Sequence, residues 1–457
     1  MEGVSRNPGT STDLLHAAWL PCFLQVLAAC RALDLIIAHV TGVCTSMILY
    51  RAFLHRLNAF RGPFLARISS LYATHLSAKR FHLYEETERL HGEYGDYAQL
   101  SKGPWYHILH PHVSLHTERD KKVHARRRKA SDMGFSSKAL RHYEDRVSKY
   151  TDQLVKTVDH AVSIGTALNM SKWFNYYSLD VMGDMAFGKS FNMLINGRTR
   201  LFARLTWLFP FLKAVPGLNG QYVMFWEFLD AKVKDRIKNE PAVPDIFSWI
   251  LRDYCQGPKT AQDTLNLNGD SYLIVVAGSD TIPVTLAIIF FYLAMNAELA
   301  KQLQDELDKH KELSHRKLGE MDLLEGIINE ALRLHPTVGD VYLPGNAIAQ
   351  SPLYTVFRDH RNFERSLEIL PTRWTTEPHL IKNKVDFIPF NSGPYSCAGK
   401  QLALMELRSV TAELLKRYNL TLAPGVSNEA YLDGLRDIFI LVSPSLTLVF
   451  SRRVRAE

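Results

Sequence analysis

Cysteine is scarce in this 457-residue chain. Five occur, at positions 22, 30, 44, 255 and 397, and the first three fall in one apolar stretch near the N-terminus. No disulfide framework can be read from that spacing, and a reducing compartment fits it. Excess charge of one sign is also small: 54 Lys and Arg against 47 Asp and Glu leave +7, dispersed along the chain. A nucleic-acid binder gathers its basic residues on one face, so that class is set aside. The sequence has no internal repeat, no low-complexity tract and no glycine-rich fingerprint for a flavin or dinucleotide. His310 and His315 are five residues apart, not the four that a zinc hydrolase needs. With 46% hydrophobic residues, the chain has enough apolar material for a large packed core, which excludes disorder.

Long apolar runs lie at one end. Residues 14–50 are strongly apolar, interrupted mainly by Arg31 and Asp34. The halves 14–30 and 35–50 are each shorter than the roughly 20 residues of a spanning helix. One or two membrane helices are expected, the second extended by residues 51–54. No basic region precedes the run, and it is too long for a signal peptide. Arg51, Arg56, Arg61 and Arg67 follow, which by the positive-inside rule puts the remainder on the cytoplasmic side. A buried helical hairpin is the alternative. After Gly62-Pro63 the pattern is mainly helical, with the best helices over 143–162, 265–296, 297–310, 323–334 and 402–418. Strands are expected over 420–422 and 438–450. The fold is therefore mainly α with a small β component: an anchor over residues 1–54 and one large domain over 55–457.

The most informative stretch is Phe390-Asn391-Ser392-Gly393-Pro394-Tyr395-Ser396-Cys397-Ala398-Gly399-Lys400. Turn formers precede a helix whose Ala403, Leu407, Val410 and Leu414 mark one buried face. Cys397 sits just before that helix, where unpaired amides and the helix dipole favour a thiolate. Gly393 and Gly399 permit close approach of the backbone to a flat ligand, and Phe390 can shield the sulfur. Such a thiolate suits an axial iron ligand. An ordinary buried cysteine is the plain alternative for a lone residue, but the pattern is longer than one residue. The segment resembles the haem-binding loop of cytochromes P-450, with Phe390, Gly393, Cys397 and Gly399 in register and Tyr395 where that family usually has Arg.

Three further segments carry the resemblance. Ala277-Gly278-Ser279-Asp280-Thr281 lies inside a long helix, and Pro283 cannot donate to the Ser279 carbonyl, so a kink and a polar notch are expected there. The segment is similar to the family's oxygen-activation motif, which implies a proton-handling role for Asp280 and Thr281. Glu330 and Arg333, with Arg373 of Pro371-Thr372-Arg373-Trp374, resemble the family's buried ion-pair triad, a structural role. His124 and Arg128 share a helical face, and the resemblance gives them the haem propionates. Arg126, Arg127 and Lys129 are expected to face solvent.

The resemblance extends over nearly everything after Arg51, through His55-Arg56-Leu57, Gly62-Pro63-Phe64, Lys102-Gly103-Pro104-Trp105-Tyr106, Trp173-Phe174 and Phe187-Gly188-Lys189, and is nearest to a fungal branch serving secondary metabolism. It implies a single catalytic domain of the cytochrome P-450 fold behind a membrane anchor, holding haem b with Cys397 as the axial iron ligand. The implied activity is a monooxygenase that puts one atom of O2 into a hydrophobic small molecule. The implied partners are NADPH-cytochrome P-450 reductase and the endoplasmic reticulum membrane, with no nucleic acid. Lys400 and residues 126–129 are candidates for steering the reductase. Two places look short against the family: after Asp96, and between Pro336 and Leu343. The alternatives they raise are skipped exons or another gene-model error, and a haem-binding paralogue with impaired or no activity.

Overall fold

The computed structural model describes residues 12–54, 63–69, 72, 75–76, 79, 81–94, 109–197, 220–241, 243–257, 259–338, 353–437 and 440–454. The chain divides into two compact units, Met1–Leu76 and Ser77–Glu457.

In the first unit a helix, α1, runs from Thr12 to Leu49 and passes into a π-helical turn over Tyr50–Leu54, and a short helix follows over Phe64–Ile68. Of the one or two helices expected, the apolar run forms one, continuous through Arg31 and Asp34. Cys30–Leu54 is apolar and long enough to cross a membrane, and from Cys30 onward its residues are exposed apart from Ala52. Arg51 Nη1 donates to the Ile68 carbonyl at 3.0 Å.

In the second unit, described helices of eight residues or more are numbered onward. They are α2 (Leu83–Tyr94), α3 (Lys121–Gly134), α4 (Ser137–Ser163), α5 (Met170–Phe187) and α6 (Gly220–Lys238). Then come α7 (Ile246–Gln256), α8 (Ala261–Met295), α9 (Ala297–Asp308), α10 (Asp322–Leu334) and α11 (Lys400–Arg417). Their starts follow local chemistry. Asp120 caps α3 by accepting from the amides of Lys122 and Val123 at 2.8 and 2.9 Å, and Thr260 with Asp263 forms a capping box for α8. Gly188 ends α5 in the left-handed conformation at φ 67°.

The core is built on α8, which packs along α5 and against α10 and α11. Residues 282–291 of α8 are buried on every side, the pattern of a helix enclosed by protein. Helix α11 is likewise buried nearly all round, Glu406 and Arg408 included, so the single apolar face expected of it was too narrow a reading.

The β component is small. Strands β1 (Leu168–Asn169), β2 (Tyr418–Leu422), β3 (Arg436–Asp437), β4 (Leu441–Val442) and β5 (Thr447–Arg452) form two sheets. The first has the order β1-β5-β2, antiparallel, with Leu420 opposite Phe450; the second pairs β3 with β4. The strand expected over 438–450 is thus broken. Pro444 lacks an amide for a ladder, and Ser443 and Ser445 bond instead to Ser171 Oγ at 3.2 Å and Asn169 Nδ2 at 3.0 Å. Of the segment after Pro336, Val338 bridges to Ile440 and the Thr337 carbonyl accepts from the Leu441 amide at 3.0 Å. Residues 339–342, 97–101 and 102–106 lie outside the described residues, as do 55–57 and Gly62.

Candidate functional site

The loop before α11 is shaped by its backbone. Asn391 and Gly393 both take positive φ, 58° and 69°, and nothing lies within 4 Å of where a Gly393 Cβ would stand, so conformation and not space calls for glycine there. A single 3-10 turn, Gly393–Tyr395, follows. The Cys397 amide then donates back to the Phe390 carbonyl at 2.8 Å. Phe390 is half-buried, with Lys400 Nζ 5.6 Å above its ring. Gly399 begins α11 without a side-chain cap, and a Cβ there would stand 4.0 Å from Cys397 Sγ and 3.7 Å from the Phe135 ring.

The backbone amides of Gly399 and Lys400 and the charges of Arg128 and Lys400 all act in the direction that favours thiolate at Cys397. Burial works against them and pushes the thiol up. The residue is also reached by solvent. The two facts are compatible, because one side of the sulfur can face an opening while protein surrounds the rest.

Helix α3 supplies the flank. Arg128 reaches the loop carbonyls of Ser396 and, at 3.5 Å, Pro394, and its Nε donates to Asp132 at 2.7 Å. His124 is buried with its ring 4.7 Å from that of Tyr395. The two residues therefore do converge on the cysteine loop. Arg126 and Lys129 are exposed as expected, but Arg127 is not. It turns inward to Asp270 of α8 at 2.8 Å and to the Val113 carbonyl at 2.8 Å. Desolvation of that guanidinium is met by a carboxylate, which a solvent-facing reading could not foresee.

On α8 the notch has a definite form. Ala277 is exposed in the middle of a helix whose neighbours Val275 and Ser279 are buried. Asp280 is half-buried and makes no hydrogen bond among the described residues, and burial raises its carboxyl to about 7. Thr281 Oγ1 donates to the Ala277 carbonyl at 2.9 Å. Gly278 meets Met182 of α5 so closely that a Cβ would overlap its sulfur. The helix runs unbroken through Pro283, and the Ser279 carbonyl, which Pro283 cannot serve, accepts from Asn175 Nδ2 of α5 at 3.3 Å.

The three charged residues of the expected triad come together and are fully buried. Arg333 donates to both Glu330 oxygens at 2.8 and 3.0 Å, and Arg373 Nε lies 3.0 Å from Glu330 Oε1. The remaining guanidinium hydrogens go to the carbonyls of Phe357, Ser366, Glu364 and Arg365. Trp374 Nε1 and the Leu370 amide also bind Glu330, at 2.9 and 2.8 Å. Asn175 and Asp270 were not singled out from the sequence, although the proline in α8 was the signal that a donor to Ser279 had to come from elsewhere.

These residues fit a flat iron-bearing macrocycle with acidic side groups. A solvent-reached sulfur is flanked by glycines, Arg128 and His124 stand beside the loop, and Ala277 is exposed between the buried residues Val275 and Ser279.

Residues 70–450 match the family model described as Cytochrome P450. The chain is 40% identical to the cytochrome P450 monooxygenase orf5 of Eupenicillium brefeldianum, over 91% of this chain and 95% of that protein. It is 43% identical to the cytochrome P450 monooxygenase FCK2 of Fusarium pseudograminearum, over 90% of this chain and 85% of that one. These alignments run to 467 and 469 positions, more than the 457 residues of the chain itself, so both relatives carry stretches with no counterpart here. A crystal structure of a cytochrome P450 superimposes with a TM-score of 0.67 at 18% identity, covering 78% of this chain and 85% of that one.

Proposed function

The chain belongs to the cytochrome P450 family, and from that premise we propose that it inserts one atom of O2 into a hydrophobic natural-product skeleton while anchored to the endoplasmic reticulum membrane. It is a cytochrome P450 monooxygenase with haem as cofactor. We assign Cys397 as the thiolate ligand, and the observation that carries this is its place in the loop that Arg128 ties down at Ser396, with its own amide bonded to the Phe390 carbonyl at 2.8 Å and Gly399 leaving the sulfur clear. When bound, the haem iron supplies the redox centre at which dioxygen is activated.

The chain's own residues do the rest. Arg128 and His124 hold the acidic side groups, with Arg128 also fixing the loop through Ser396. Asp280, whose carboxyl burial raises to about 7, can both give and take a proton near neutral pH. Thr281 commits its hydroxyl hydrogen to the Ala277 carbonyl, so its lone pairs accept a hydrogen bond and orient a donor. Glu330, Arg333 and Arg373 hold the scaffold. Electrons come from NADPH-cytochrome P450 reductase, met by exposed Lys400, Arg126 and Lys129. The apolar, exposed Cys30–Leu54 segment with Arg51 near its end supports an anchor over residues 1–54 with the domain 55–457 on the cytoplasmic side. No comparison favours the reading of an impaired paralogue.

The test is the absorption spectrum of the reduced, carbon-monoxide-bound protein beside that of Cys397→Ala. The expected result is a thiolate-type band in the parent that disappears in the variant. An identical band in both would overturn the assignment.

A further inference from the structure

Helix α8 contains Pro283, and yet it continues without a break. A proline inside a helix removes one donor and leaves the carbonyl four residues earlier short of its partner. Here that carbonyl belongs to Ser279, one residue before Asp280 and two before Thr281. The hydroxyls of this stretch do not serve it. Ser279 Oγ donates to Val275 O at 2.6 Å, Thr281 Oγ1 to Ala277 O at 2.9 Å, and Thr285 Oγ1 to Thr281 O at 3.1 Å. The donor comes from another helix: Asn175 Nδ2 of α5 lies 3.3 Å from Ser279 O.

We infer that Asn175 is a positioning residue for the notch: its side-chain amide stands in for the missing backbone amide of Pro283 and so fixes the turn that presents Asp280 and Thr281. The inference rests on the proton-handling reading of those two residues only for its effect on turnover; its structural part stands apart from that reading. A buried carbonyl left without a donor recruits water or shifts the backbone, and either would move the two side chains that follow it. Asn175 itself touches no reacting atom. Its neighbourhood is fixed by packing, since Phe174 sets its ring 5.0 Å from Phe290 of α8 and Met182 fills the space beside Gly278.

The arrangement makes a strong demand: the asparagine matters because of the proline. Asn175→Leu keeps the branched outline of the side chain and removes the donor, while Pro283→Ala restores a backbone amide to the same carbonyl. The experiment compares the parent, both single variants and the double variant as haem-loaded full chains. Hydrogen exchange by mass spectrometry is followed over residues 270–290. Peroxide released per NADPH oxidised is measured with a cytochrome P450 reductase. Asn175→Leu should speed exchange in that segment about tenfold and raise peroxide release. Pro283→Ala should leave both near the parent's values, and the double variant should return to them. Equal effects of Asn175→Leu with and without Pro283→Ala would overturn the inference, as would unchanged exchange in the single variant. If Asn175→Leu does not fold, a folded double variant supports the inference and an unfolded one overturns it. Faster exchange without any change in peroxide release, together with a silent Thr281→Ala, would instead remove the proton-handling reading and leave the positioning role in place.

Discussion

Trp374 Nε1 donates to Glu330 Oε1 at 2.9 Å, and the same oxygen lies 3.0 Å from Arg373 Nε. One carboxylate oxygen thus ties α10 to the turn Pro371–Trp374, while the second oxygen takes the Leu370 amide and Arg333. Glu330→Gln leaves two buried guanidiniums facing a neutral group and should cost about 3–5 kcal/mol. Trp374→Phe removes one neutral donor and should cost about 1–3 kcal/mol. Urea unfolding midpoints of the two variants measure the difference, and equal losses would contradict a carboxylate-centred cluster.

Gly326, on the same helix, packs where a Cβ would stand 2.7 Å from the Pro371 carbonyl oxygen. That neighbour is backbone and cannot rotate away. Gly326→Ala should therefore cost about 1–3 kcal/mol by pushing the turn from α10. Gly220→Ala, where nothing lies within 4 Å among the described residues, serves as the control and should change stability by less than about 0.5 kcal/mol.

Asp280 gives stability a pH dependence of known sign. Its carboxyl is raised in the fold to about 7 by burial, so the folded protein prefers the neutral acid. Below about pH 4 the acid is neutral in both states and nothing is lost. From about pH 4 to 7 the unfolded chain releases the proton first and stability falls; above about 7 the loss is constant. Relative to Asp280→Asn, the parent should lose about 2–4 kcal/mol across that range, the lower end applying because the side chain is only half-buried. Parallel denaturation curves at pH 4.5 and pH 8 read this directly, and a constant difference between the two proteins would refute it.

Three consecutive arginines of α3 should give three different phenotypes. Arg128→Ala frees the loop carbonyls of Pro394 and Ser396 and should lower pigment per polypeptide at limiting haemin by about tenfold. Arg127→Ala strands Asp270 in the interior and should cost about 3–5 kcal/mol in unfolding. Arg126 is exposed and only 4.0 Å from Asp253, so Arg126→Ala should alter neither pigment nor stability measurably. Absorbance per protein and unfolding midpoints together separate the three.

What could be read in the sequence was whatever is written along the chain. The cysteine loop, the Asp280-Thr281 pair and the spacing of Glu330 and Arg333 are short linear patterns, and the structure brings the expected partners together around two of them. Long-range partners outside those motifs were not legible. Asn175 is 104 residues from Ser279, and nothing local distinguishes it from an ordinary residue. The direction of Arg127 was hidden because neighbouring positions on a helix point about 100° apart and only the fold says which way is inward. The long strand over 438–450 failed at Pro444, whose effect outweighs an alternating pattern. Arg31 and Asp34 left open whether the apolar run forms one helix or two, and one pair three residues apart on a helix does not end it.

The bond from Asn175 to the Ser279 carbonyl also orders the history that substitutions here can take. A carbonyl oxygen has two lone pairs, so gaining an alanine at 283 while Asn175 remains is tolerated, and the asparagine then becomes free to drift. In the opposite order the first step meets a loss. Lineages descending from this chain should therefore be found with both residues, with neither, or with asparagine alone, whereas a proline at 283 beside an apolar residue at 175 should be rare.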